Sequence, residues 1–158
     1  MTASLPPTLV PPAPFGRSLL DHDDLMTPIL SAEFGPLTVR KTHIDSGSSH
    51  FERRSSIVQA ASGSTILDAV LEISTQALPL GFLDQLLRED VLFGQLLVDF
   101  AIPVRFADRT LYQSAKAPED LRWGRRLTIY RKDTDERICT VDELLVSDAQ
   151  LLPLRRMR

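Results

Sequence analysis

Cysteine is almost absent from this chain of 158 residues: Cys139 stands alone. One thiol cannot close an internal disulfide, nor can it supply a multi-cysteine zinc site. It reads most simply as a small buried residue, since a catalytic thiol would need a histidine brought to it by the fold. Histidine is scarce too. His22, His43 and His50 fall outside any HExxH spacing, so no metal is expected. No apolar run approaches the roughly 20 residues needed to cross a bilayer, and no charged N-terminal region leads into an apolar one. A cytoplasmic protein without a membrane partner is the expectation. Basic charge is not in excess, for the net charge is −3 and no global field would recruit nucleic acid. The pairs Arg125-Arg126 and Arg155-Arg156 are local and read as solvated strand ends or tails. GxGxxG, Walker loops, nucleophile elbows and internal repeats are all missing.

What remains is an ordinary globular composition, 43% apolar and 25% charged, of a length that fits one domain. Five of the eleven prolines crowd residues 1–16, which read as an extended tail or embracing arm. Residues 17–158 then form the single domain. From Arg17 to Phe34 the pattern is that of two short helices, the second capped by Thr27 with Pro28 at its first position. Gly35-Pro36 ends it and a strand opens over Leu37 to Ile44. A hairpin follows, Glu52 to Ala60 and Ser64 to Ser74, turning at Ala61-Ser62-Gly63. Leu67, Ala69, Leu71 and Ile73 share its apolar face, and Arg54 is in phase with Ser56, Val58 and Ala60.

Leu80, Leu83, Leu86 and Leu87 predict a helix over Leu78 to Asp90. After Val91-Leu92-Phe93-Gly94, alternation of Leu96, Val98, Phe100, Ile102, Val104 and Phe106 predicts a strand. Asp108 to Leu121 reads as a polar connection. The last two strands lie in WGRRLTIYRKDTDERICTVDELL, residues 123–145, joined by the charged turn Lys132 to Asp135. Six strands linked mostly by hairpins indicate an α+β fold: a six-stranded antiparallel sheet with helices packed on it.

Glu143 falls in phase with Cys139, Val141 and Leu145, which places a carboxylate on an apolar face. Either the strand ends at residue 142 and the side chain turns to water, or the carboxyl is held in a dry pocket. There desolvation would raise its pKa and suit it to general acid or base work.

Four motifs together resemble the bacterial chorismate pyruvate-lyases, which make 4-hydroxybenzoate for ubiquinone synthesis. Trp123-Gly124-Arg125-Arg126 and Asp142-Glu143-Leu144 resemble that family's last strand pair, and Asp24-Leu25-Met26-Thr27 its Asp-x-Met-Thr stretch. Arg54 matches the arginine of its first hairpin, and Leu92-Phe93-Gly94 its turn after the helix. The similarity spans residues 18–148 and implies the chorismate lyase-like fold. It further implies a cofactor-free, metal-free lyase that converts chorismate to 4-hydroxybenzoate and pyruvate. Arg54 would grip the ring carboxylate, backbone groups near Met26 and Phe93 would complete that end, and Glu143 would assist departure of the enolpyruvyl oxygen.

The chain departs from the family at Leu67-Asp68 and Gln95, where the ubiquinone-type lyases carry Gly-Arg and Arg. Asp68 would thus replace a cation beside the ligand, and a ring with one carboxylate becomes plausible. The expected partner is a small aromatic or cyclohexadiene carboxylate, and the expected state a monomer or homodimer. Two other functions compete. One is a different elimination, dehydration or cyclisation in the same pocket. The other is a non-catalytic small-molecule-binding module, since effector domains of one large family of bacterial repressors resemble this fold. Those domains usually follow a winged-helix DNA reader, for which about 16 proline-rich residues are too few.

Overall fold

The computed structural model describes residues 14–46, 50–88, 91–115 and 120–155. Six strands form one antiparallel sheet: β1 (Leu37–Ser46), β2 (His50–Gln59), β3 (Thr65–Ser74), β4 (Val104–Ser114), β5 (Arg122–Arg131) and β6 (Arg137–Leu145). Their order, β1-β2-β3-β6-β5-β4, joins two three-stranded meanders along β3 and β6. Among the described residues five short α-helices accompany them: α1 (Phe15–Leu20), α2 (Met26–Phe34), α3 (Phe82–Arg88), α4 (Phe93–Asp99) and α5 (Asp148–Leu151). No helix among the described residues is long and apolar enough to cross a membrane.

Strand alternation divides the sheet into a polar face and an apolar one. Ile57, Leu67, Ala69, Leu71, Ile73, Leu127, Ile129, Cys139, Val141 and Leu145 all turn inward and are buried. Above them lie two separate cores. Phe82 and Leu86 of α3 with Phe93, Leu96 and Leu97 of α4 cover one end. Leu19 and Leu20 of α1, Leu30 and Phe34 of α2, and Leu151 of α5 cover the other. Burial of these side chains, at about 1.5–3 kcal/mol each, is the main force holding helices this short to the sheet.

Three expectations need correction. The stretch from Phe93 to Asp99 is helix, with Phe93, Leu96 and Leu97 buried at helical spacing, whereas Val98 is 61% exposed. Ala101 takes a left-handed turn (φ 52°) after it, and Pro103 leads into the strand. The fourth strand therefore starts at Val104 and runs through the polar segment to Ser114. It is an edge strand with much of its surface in water, which is why its sequence lacks a clear apolar stripe. The second helix begins at Met26, with Leu25 rather than Thr27 as its cap, and Pro28 falls in its first turn, where no intrahelical N–H is lost. Finally, Phe15 and Gly16 belong to α1 rather than to the proline-rich arm. Residues 1–13 of that arm lie outside the described residues, as do residues 89–90 of the expected third helix.

Candidate functional site

Where the two cores fail to meet, the inward face of the sheet carries small side chains. Ser55 of β2 pairs with Ala69 of β3, which pairs with Glu143 of β6, which pairs with Arg125 of β5. Ser55 and Ala69 leave a hollow that Leu or Ile would fill. The N-terminal ends of α2 and α4 roof it with Met26, Thr27, Phe93 and Gly94. Those two ends meet closely, for a Cβ on Gly94 would stand 3.0 Å from Thr27 Oγ1. The resulting cavity encloses about 60 Å³, and about 550 Å³ when the open space at its mouth is counted. Apolar walls come from Val39, Ile57, Leu71, Phe106, Leu127, Ile129 and Val141, and the charged groups are Arg53, Arg125 and Glu143.

Glu143 is buried, the second of the two outcomes its sequence left open, and does not turn out to water. Its Oε1 accepts from Arg125 Nε at 2.9 Å and Nη2 at 2.7 Å. The other arm of the same guanidinium, Nη1, donates to the carbonyls of His22 at 2.8 Å and Asp24 at 3.1 Å, in the α1–α2 loop. Burial pushes the Glu143 carboxyl above its ordinary range, and the attraction of Arg125 opposes that only in part. Arg53 lies on β2 and is 1% exposed, with Nη2 donating to Val91 O at 2.9 Å. It stands two strands and two residues away from Glu143, about 12 Å between Cα atoms by strand geometry. Both side chains line the cavity.

Met26 and Phe93 line the cavity with Glu143. Arg54 and Asp68 do not. Arg54 points to the opposite face, its side chain 55% exposed and its Nε 2.8 Å from Glu52 Oε1. Asp68 shares that face, accepting from Ser56 Oγ at 2.6 Å and pairing with Arg122 at 2.8 Å. The sequence put Arg54 in phase with Ser56, Val58 and Ala60, but Phe51 and Ile57 mark the other phase of β2, and both are buried. The inward residues are Phe51, Arg53, Ser55 and Ile57, one position off. Of the adjacent pair, Arg53 therefore lines the cavity with Arg125, and Arg54 lies on the other face of the sheet. Arg125 was legible in principle, being in phase with Leu127 and Ile129, but its place in a run of two arginines argued for solvent. The thiol of Cys139, fully buried, is held well above its usual range by that burial and is not poised as a nucleophile.

No protein-family model matches the chain. No curated protein matches it either. Solved structures do. PhnF from Mycobacterium smegmatis superposes with a TM-score of 0.61 at 13% identity, over 81% of this chain and 66% of that one. The ligand-binding domain of a putative GntR-family transcriptional regulator from Bordetella bronchiseptica gives 0.52 at 15% identity, over 73% and 86%. A possible transcriptional regulator, YydK, from Bacillus subtilis gives 0.52 at 8% identity, over 75% and 60%. The fold is chorismate lyase-like. The chain spans about two thirds or less of the PhnF and YydK chains, and most of the Bordetella domain. Within this chorismate lyase-like domain, then, the likeness extends to regulator domains, at identities that speak for the fold alone.

Proposed function

We propose that this domain binds a small organic acid between Arg53 and Glu143 and does not transform it. The observation that carries the reading is the pairing of Glu143. Both hydrogen bonds from Arg125 converge on Oε1, and Arg125 is committed on its other side to two backbone carbonyls. A carboxylate that shuttled protons would make and break that buried pair at each turn, and breaking such a pair costs several kcal/mol. As a fixed acceptor it orients a ligand hydroxyl without any such cost. The likeness to a ligand-binding domain of a transcriptional regulator supports the same reading. A ring acid such as 4-hydroxybenzoate has the matching groups, a carboxylate for the Arg53 guanidinium and a hydroxyl for Glu143.

One observation favours a second reading, the chorismate pyruvate-lyase. Burial raises the Glu143 carboxyl toward the range in which an acid can donate a proton. In that reaction the bond from the ring to the enolpyruvyl oxygen breaks, the ring loses its C4 proton, and aromatisation drives the step. Incubating the protein with chorismate and following pyruvate separates the two readings. The binding reading expects no release above the spontaneous rate. Equimolar pyruvate and 4-hydroxybenzoate would establish the lyase instead.

A further inference from the structure

Two arginines of the sheet strap down the loop Asp21–Leu25 that joins α1 to α2, and they differ in what else they touch. Arg109 of β4 reaches Asp21 at 3.3 Å and Asp23 at 3.4 Å and has no place in the cavity wall. Arg125 of β5 holds the carbonyls of His22 and Asp24 with one arm, and with the rest of the same rigid fork it holds Glu143, which faces the cavity. The loop's own geometry depends on that hold. His22 Nε2 donates to Leu19 O at 2.7 Å, so its Nδ1 is free to accept from Asp24 N–H at 3.1 Å, and the ring edge sits 3.4 Å from Arg125 Nη1. Leu25, Met26 and Thr27, the next residues along, roof the cavity.

We infer that Arg125 is a relay, linking what Glu143 contacts in the cavity to how tightly the α1–α2 loop is held. A planar guanidinium cannot follow a change at Glu143 and keep both carbonyl bonds. A ligand donor that takes up the Glu143 carboxylate weakens its claim on Arg125. The guanidinium, its charge less fully met at Oε1, tilts within the pair, and its bonds to the His22 and Asp24 carbonyls lengthen. Loosening the loop frees α1, through which the preceding residues join the domain. That a ligand is the natural trigger rests on the proposed function above. The linkage itself needs no ligand.

Amide hydrogen exchange of residues 21–25, measured without any ligand, tests it as a double-mutant cycle. Glu143→Gln is expected to speed loop exchange about tenfold in an otherwise unchanged protein, and less than about twofold when Arg125 is already Lys or Met, because a coupled pair is non-additive. Arg125→Lys keeps a buried cation but cannot hold both sides at once, so it covers the case in which Arg125→Met does not fold. In an Arg109→Ala background the Glu143→Gln effect should persist in full. The relay is overturned if Glu143→Gln leaves loop exchange unchanged, or if it acts equally with and without Arg125. Either result would leave ligand binding standing, and absence of 4-hydroxybenzoate binding would leave the cycle unaffected.

Discussion

Arg53 and Arg54 are adjacent in sequence and on opposite sides of a sheet, so a pair of single substitutions separates the cavity from the outer face. Arg53→Ala is expected to weaken 4-hydroxybenzoate by about 1.5–3 kcal/mol, roughly tenfold or more, through loss of a charge-assisted bond. Arg54→Ala should change affinity less than about twofold. Calorimetry on the two variants reads this directly, and the reverse order would return the site to the outer face. Glu143 and Arg125 make a second prediction at this scale. Glu143→Leu strands a buried guanidinium and should cost about 3–5 kcal/mol in urea unfolding, whereas Glu143→Leu combined with Arg125→Met should cost less, short of wild type by the carbonyl bonds that Arg125 makes to the loop. Equal costs for the single and double variants would mean that the pair is not a unit.

At the scale of elements, the α1–α2 loop carries a pH dependence. Burial and the neighbouring Arg125 hold His22 below its ordinary 6.5, with Arg109 adding to that and Asp24 and the Leu19 carbonyl opposing it. The unfolded chain takes up the proton near 6.5 while the native loop resists it. Stability should therefore be complete above pH 6.5 and fall as pH drops from there toward the lowered native value. Thermal unfolding at pH 7 and 5.5 should show a larger loss for wild type than for His22→Gln, and parallel losses would remove His22 from the account. The β4–β5 pair has its own constraint. The Tyr112 ring lies over Gly124, where a Cβ would come within 2.2 Å of it, and the Tyr112 hydroxyl donates to Asp142 of β6. Gly124→Ala should displace that ring and destabilise by about 1–3 kcal/mol. Near-wild-type unfolding would show that Tyr112 has somewhere else to go.

Elements were legible in proportion to how strongly one period dominated. β3 and β6, with clean alternation through Ile73 and Leu145, were read in the right phase, and the phase of β6 put Glu143 inside. The segment Phe93 to Phe106 satisfies both periods, since Leu96, Val98 and Phe100 alternate while Phe93, Leu96 and Leu97 repeat every three or four; packing against α3 decided for helix. β4 was hidden because a half-solvated edge strand needs few apolar residues. The two phases of β2 carry similar apolar content, Phe51 and Ile57 against Val58 and Ala60, and the second reading moved the site arginine by one position.

For the whole molecule, one sheet face and the short helices of the described residues make two cores with a gap between them that Arg53, Arg125 and Glu143 line. The most direct test is to titrate the protein with 4-hydroxybenzoate by ligand-observed NMR and, on the same sample, to add chorismate and follow pyruvate. Saturable binding that is lost in Arg53→Ala, with no pyruvate above the spontaneous rate, is the expected result. Binding that survives Arg53→Ala, or stoichiometric pyruvate release, would contradict it.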